Sequence, residues 1–292
     1  MTTNYIAIDW GSTHLRAWRY QHGVCTDSRQ QEAGITRLAG RHPRDILTSI
    51  TEGWERQVPI IMAGMVGSAQ GWCNVPYLPC PLRLTDIASM LTRIEENVWI
   101  VPGVSVGGDR CNIMRGEETQ LLGAWQQVPA SLYVMPGTHC KWARVEEGRL
   151  QRFSTVMTGE LHHLLLNHSL IGQDLPLQIT DQQIFIDALN QTLHGGDLLP
   201  RLFEVRAAYI LGQQAREAVS EQLSGLLIGA EIAQMRRLYG QLEAHRVSIV
   251  ASPQLGARYL TALNFLGVNA DLLAGDVAFQ QGIRSIVNDL GN

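Results

Sequence analysis

The chain has 292 residues, 45% of them hydrophobic and 17% charged, with a formal net charge of −4. That balance describes a globular chain, long enough for sizeable cores and for about two domains. It contains no basic block or stripe and no apolar run near the roughly 20 residues of a membrane span, which argues against nucleic acid and membrane as partners.

Residues 5–9 and 15–20 read as antiparallel strands around a short turn, and "HGVC" reads as a second turn into a third strand over 24–29. Glycine and polar punctuation with period-two alternation supports this. Residues 43–55 are a predicted helix with Pro43 and Asp45 in its first turn. "VPIIMAGMVGSAQGW" reads as a buried strand over 60–63 followed by a glycine-rich loop, and "NVWIVPGV" as another strand and loop. "GEETQLLGAWQQ" is helical, with two acids at the positive end of the helix dipole.

A second strand system begins at "SLYVMPGTHCKWARVEEGRLQRFSTV", with a hairpin turning at "EEG". Helices follow over 158–169, 180–192, 199–211 and 217–238. "RVSIVASPQLGARYLTALNFLG" reads as strand, loop and helix, and a last helix covers 276–287. "VPAS" interrupts the pattern at 128–131, which sets domains of 1–129 and 130–292, the last helix being a candidate to pack back on the first. The N-terminal "MTTNYIAIDW" lacks the basic and long apolar regions of a signal peptide. Five scattered cysteines with no CxxC pair fit reduced thiols, so the expected compartment is the cytoplasm.

Placing Gly137 on Gly11 reveals an internal echo: "YIAIDWGSTHLRAWRYQHG" and "SLYVMPGTHCKWARVEEG" share an apolar strand, glycine, hydroxyl residues, His, a cation, Trp and a Gly turn. Hairpins resemble one another, but two such half-domains could also present two glycine-hydroxyl turns to one ligand. Backbone N–H groups and hydroxyls in such turns suit phosphate oxygens, because glycine lets the main chain approach closely.

Asp9, Gly11, Ser12 and Thr13 form an Asp-x-Gly-Ser/Thr-Thr element that resembles the first phosphate loop of the sugar kinase, Hsp70 and actin superfamily. Arg16 matches a basic residue found in carbohydrate kinases of the glycerol kinase group. There a Gly-Asp opens a helix shortly before the second phosphate loop. Here "RGEETQLLGAW" stands in that place and puts Glu117, longer than the usual Asp, on the position of the catalytic carboxylate. More closely, the chain resembles the 2-dehydro-3-deoxygalactonokinases over its full length. The strings "IDWGSTHLRAW", "AGMVGSAQGW", "MRGEETQ", "PGTHCKW", "TVMTGELHHLL", "SGLLIGAEI" and "ASPQLGARYLTAL" carry the likeness.

The resemblance implies an α/β fold of two ribonuclease H-like (actin-like ATPase) domains facing each other across a cleft that closes on ligand. It also implies ATP-dependent phosphorylation of 2-dehydro-3-deoxy-D-galactonate on its 6-hydroxyl, in galactonate catabolism, with ATP and Mg2+ as cofactors. The partners are then the sugar acid and ATP, and a homodimer is left open.

Phosphoryl transfer is mostly positioning and charge neutralisation. Glu117 is the candidate to accept the proton of the attacking hydroxyl, although an acid there also suits a helix N-terminus. Glu118 points about 100° away on the helix. Asp9 is the candidate for Mg2+, through water, although turns also favour Asp. Ser12, Thr13, Gly137 and Thr138 would contact phosphates, with Arg16 and Lys141 the nearest cations; Lys141 could equally be a solvated strand lysine. By resemblance Gly225, Ser252, Pro253 and Leu255 lie around the nucleoside, while Gly225, Gly229 and Ala230 also suit close helix packing. A carboxylate substrate needs donors or a cation. Ser68, Gln70 and Arg115 are candidates, with Arg16 and Arg110 as alternatives to Arg115, and Glu160 is expected at the substrate. The spacing in "MTGELHHLL" is not that of a zinc HExxH; Thr158 instead reads as the cap of that helix.

No GxxxxGK[ST] loop or GxGxxG fingerprint occurs. The alternatives are a kinase of the same fold for another sugar or sugar acid, an actin-like ATPase switch, and a sugar-sensing regulator.

Overall fold

The protein is described by a computed structural model covering residues 3–55 and 57–290. Its first strands are β1 (Tyr5–Trp10), β2 (Leu15–Gln21) and β3 (Val24–Gln31). Helix α1 (Pro43–Ile50) precedes β4 (Ile60–Gly64). Short strands β5 (Tyr77–Pro79), β6 (Leu82–Arg83), β7 (Thr92–Glu95), β8 (Val98–Ile100), β9 (Gly103–Val106) and β10 (Asn112–Met114) lead to α2 (Glu117–Gln127). Strands β11 (Leu132–Met135), β12 (Cys140–Glu146) and β13 (Arg149–Val156) open the second series. They are followed by α3 (Thr158–His168), α4 (Gln182–Leu193), α5 (Leu198–Ile210) and α6 (Val219–Tyr239). The chain closes with β14 (Val247–Ala251), α7 (Pro253–Phe265), β15 (Ala270–Ala274) and α8 (Gly275–Leu290).

The backbone forms two compact units. One holds Met1–Pro129, Ala143–Phe153 and Leu273–Asn292; the other holds Ala130–Trp142 and Ser154–Leu272. A six-stranded sheet runs β3–β2–β1–β4–β8–β7 and another runs β15–β14–β11–β12–β13–β6. Read from the hairpin side, β3–β2–β1–β4–β8 and β13–β12–β11–β14–β15 have one and the same order. In each, the strand before the glycine turn pairs in parallel with the later strand, β1 with β4 and β11 with β14. The echo in the sequence is therefore a repeat of topology, in which β1 corresponds to β11 and β2 to β12.

Local chemistry explains the hairpins. His22 and Gly23, at φ 53° and 76°, close β2 on β3, and Glu147 and Gly148, at 49° and 73°, close β12 on β13. Two successive left-handed residues are the tight-turn geometry that matches strand twist. β1 and β11 are buried almost throughout, because each lies inside a sheet covered on both faces.

Helix α1 ends at Ile50, short of the expected 43–55. The Thr51 hydroxyl bonds back to the Leu47 carbonyl at 2.7 Å, and Gly53 at φ 76° turns the chain away. Strands β5, β9 and β10 form a separate three-stranded sheet. They are too short, and too interrupted by Gly and Pro, to announce themselves by periodicity. Helix α8 lies in the first unit against α2. The two meet through glycines: a side chain at Gly123 would strike the Ala278 carbonyl, and one at Gly282 would strike that of Thr119. Among the described residues no helix is long and apolar enough to cross a membrane.

Candidate active site

The register of the first hairpin puts Asp9 directly opposite Arg16. The Arg16 guanidinium donates Nη2–H to Asp9 and Nη1–H to Asp276, the second residue of α8. Burial pushes the Asp9 carboxyl up from its ordinary range; Arg16 opposes that push, while the charges of Asp276 and Glu117 add to it. The turn between the strands is fixed from behind. The N–H groups of Gly34, Ile35 and Thr36 donate to the carbonyls of Thr13, Gly11 and Ser12 at 3.1, 3.0 and 2.9 Å. A side chain on Gly34 would collide with the Ser12 backbone. Ser12 and Thr13 are thereby held exposed. The Gly11 N–H closes the turn on His14 O at 3.0 Å, so Gly11 offers close approach and not its donor. Trp18, on the same strand face as Arg16, is buried against Phe279, their rings 5.5 Å apart.

Main chain meets main chain where β1, β4 and α2 converge. Gly64 and Gly116 adopt φ 98° and 108°, and a Cβ on Gly116 would lie 3.2 Å from Gly64 Cα. Only glycine takes these angles without strain. The turn at Gly116 delivers two adjacent carboxylates to different surroundings. Glu117 is half-buried and accepts the Arg115 N–H at 3.0 Å. Glu118 is fully buried, accepting the Gly116 N–H at 2.7 Å and the Thr119 hydroxyl at 3.1 Å. Burial, and then the charge of Glu117, push Glu118 up to about 8. Of the two, only Glu117 can meet an outside hydroxyl.

The Arg115 side chain is buried, donating Nη2–H to Val75 O at 2.6 Å and stacking 4.2 Å from the Tyr77 ring centroid. Its Nε and Nη1 are buried with no hydrogen-bond partner among the described residues. The Ser68 hydroxyl donates to Met65 O at 2.7 Å, and Gln70 and Arg110 are exposed.

The second glycine turn is built differently. The Glu160 N–H donates to Thr138 O at 2.9 Å, and Gly159 admits the Gly137 carbonyl where any side chain would collide with it. The Glu160 carboxylate lies 2.6 Å from His139 Nε2. Glu160, expected at the substrate, is thus tied to this second turn. Lys141 is 3% exposed and donates to His139 O at 3.2 Å, which replaces the solvated-lysine reading. Thr158 is not the helix cap: it is the first residue of α3, and its hydroxyl donates to the buried Glu231. That carboxylate also accepts from Trp142 Nε1 at 2.7 Å and the Tyr259 hydroxyl at 2.8 Å. Burial raises its pKa, against the pull of these donors and of Cys140.

Beside this cluster lies a pocket within the second unit. Gly137, Thr158, Gly159, His162, Ser220, Ser224, Arg258 and Tyr259 line it, with Leu227, Ile228 and Leu255 as apolar wall. Arg258 is fixed by a bidentate pair with Glu221 at 2.6 and 2.7 Å, and His162 by Ser220 O at 3.1 Å. Of the residues expected around a nucleoside, Leu255 lines the pocket. Ser252 and Pro253 are exposed at the start of α7. Gly225 needs correcting: it faces α4, where a side chain would meet Phe185 O and Ala188, so Ser224 takes its place at the pocket.

Sequence reading missed Ser224 and Arg258 at the pocket, and also Asp276 and Glu231. Glu231 left a signal, an acid inside the apolar run "SGLLIGAEI". Asp276 left none, because its partner lies 260 residues away.

The sequence model of the 2-keto-3-deoxy-galactonokinase family matches residues 9–286. A 2-dehydro-3-deoxygalactonokinase of Escherichia coli (strain K12) is 52% identical over 294 aligned positions, covering 100% of both chains. The crystal structure of a candidate 2-dehydro-3-deoxygalactonokinase protein from Sinorhizobium meliloti superposes with a TM-score of 0.91 at 33% identity, covering 98% of this chain and 99% of that one. At 11% identity, component A of the Acidaminococcus fermentans (R)-2-hydroxyglutaryl-CoA dehydratase shares the fold, with a TM-score of 0.55 over 99% of each chain.

Proposed function

The chain belongs to the 2-keto-3-deoxy-galactonokinase family, and from that premise we propose that it transfers the γ-phosphoryl group of ATP to the 6-hydroxyl of 2-dehydro-3-deoxy-D-galactonate, in galactonate catabolism. The observation that carries the assignment of roles is the meeting of β1, β4 and α2, which places half-buried Glu117 within electrostatic reach of Asp9.

Glu117 accepts the proton of the attacking hydroxyl. That oxygen forms its bond to the γ-phosphorus as the bond to the β–γ bridging oxygen breaks and ADP departs; the proton passes from Glu117 to solvent after product release. Asp9 would hold Mg2+. Its half-buried carboxylate, with the charges of Asp276 and Glu117 near it, is the hard oxygen donor this ion prefers. The metal supplies charge neutralisation on the phosphates. Ser12 and Thr13 contact phosphate from the first turn, and Gly137, Thr138 and Lys141 do so from the second. The pocket lined by Ser224, Leu227, Leu255 and Arg258 receives the nucleoside, its apolar wall under the base and its polar groups toward the ribose. Arg115, whose guanidinium has two buried nitrogens without a partner among the described residues, is the cation for the substrate carboxylate. Ser68 and Gln70 complete that side.

ATP consumption with and without 2-dehydro-3-deoxy-D-galactonate tests the reading. Turnover that depends on the sugar acid is expected; acid-independent turnover, or none, would overturn it.

A further inference from the structure

The last helix meets the first hairpin along a row of side chains. Strand alternation puts Arg16, Trp18 and Tyr20 on one face of β2. Helical spacing puts Asp276, Phe279 and Gln280 on one face of α8. The rows pair in order: Asp276 with Arg16, Phe279 with Trp18 at 5.5 Å, and Gln280 with the Tyr20 hydroxyl at 2.6 Å. The helix is seated by its apolar and amide contacts. Asp276, 53% exposed, adds little to that seating, because ion pairs so open to water contribute little to folding.

What Asp276 does is give Arg16 a second carboxylate. Asp9 holds one terminal nitrogen of the guanidinium and Asp276 the other. Arg16 holds one oxygen of Asp9, so a cation that takes this carboxylate competes with the guanidinium for its charge. We propose that Asp276 is a positioning residue in this competition: it retains Arg16 when Asp9 turns to the divalent cation, and leaves the freed guanidinium nitrogen facing phosphate. Without Asp276, Asp9 is the sole carboxylate bonded to Arg16, and the guanidinium competes with the cation for it. The inference rests on the kinase reading above, in which Asp9 serves the metal.

Calorimetric titration of the whole chain with ADP, at a series of Mg2+ concentrations, tests it. Asp276→Asn is expected to raise the Mg2+ concentration for half-maximal ADP affinity about fivefold or more. Its affinity for ADP without Mg2+ should be unchanged or tighter. Asp276→Glu should restore most of the Mg2+ response. In an Arg16→Ala background, Asp276→Asn should have no further effect, since there is no guanidinium left to compete. Asp276→Ser provides a second neutral side chain should the asparagine variant melt early. An unchanged Mg2+ requirement in Asp276→Asn and Asp276→Ser, or ADP affinity weakened equally with and without Mg2+, overturns the proposal. Wild-type turnover of the sugar acid, measured in parallel, separates the two claims: its absence with Mg2+-dependent ADP binding intact sinks the substrate assignment and leaves the role of Asp276 to be decided by the titrations.

Discussion

The Trp142 indole donates its Nε1–H to the Glu231 carboxylate at 2.7 Å, both groups buried. This bond ties the strand that leaves the second glycine turn to the middle of α6. The same carboxylate receives the hydroxyls of Thr158, at the start of α3, and of Tyr259, on α7. One acid thereby holds four elements around the pocket, and removing it leaves several buried donors without an acceptor. Glu231→Ala should cost on the order of 3 kcal/mol, and Glu231→Gln about 1 kcal/mol, because the amide oxygen still accepts. Urea unfolding checks this. An alanine variant as stable as wild type would show that the network contributes nothing net.

Glu118 gives a pH dependence with a definite sign. Its pKa rises from 4.5 to about 8 on folding. Between those values the native state keeps a proton that the unfolded chain has lost, so stability falls as pH rises across that range. Glu231 is displaced in the same direction. Glu118→Gln, which cannot ionise, should flatten the fall. Urea midpoints at pH 5 to pH 8 (roughly the window between the two pKa values) measure it; parallel profiles for the two proteins would contradict a buried neutral Glu118.

Glu117→Gln keeps shape and removes the proton acceptor. We expect kcat to fall by about 10²-fold or more, with ADP affinity retained. Turnover near that of wild type would remove Glu117 from the catalytic role.

Arg115→Ala should raise KM for the sugar acid about tenfold without a matching change for ATP, since a charge-assisted pair is lost. A rise in KM for ATP instead would assign the cation to phosphate.

At Gly159 a methyl group would overlap the Gly137 carbonyl. Gly159→Ala must push α3 away from the second turn, and should raise KM for ATP several-fold while costing about 1–3 kcal/mol of stability. Gly107→Ala, at a position with open space around it, is the control and should be silent in both measurements.

The two hairpins, the buried strands and the start of α2 were legible in the sequence because their causes are local. Period-two alternation, the paired turn residues His22–Gly23 and Glu147–Gly148, and a Gly before two acids act within a few residues. The Asp9–Arg16 pair has a local cause too, since a hairpin register brings residues seven apart face to face, but the sequence reading gave the two residues separate roles and did not pair them. Helix packing through Gly225 and Gly229 was half legible, as small residues in an apolar helix, but which face they served was not.

Tertiary structure alone decided the rest. Glu117 and Glu118 are neighbours of one residue type, and only the packing around α2 separates a half-buried carboxylate from a buried one with its pKa near 8. Asp276 reaches Arg16 because α8 returns to α2 and β2, where Gly123 and Gly282 admit the helix backbones. Glu231 gathers its donors from β12, α3 and α7. A residue's partners across such distances depend on how whole elements stack, and no spacing within the chain encodes that stacking directly.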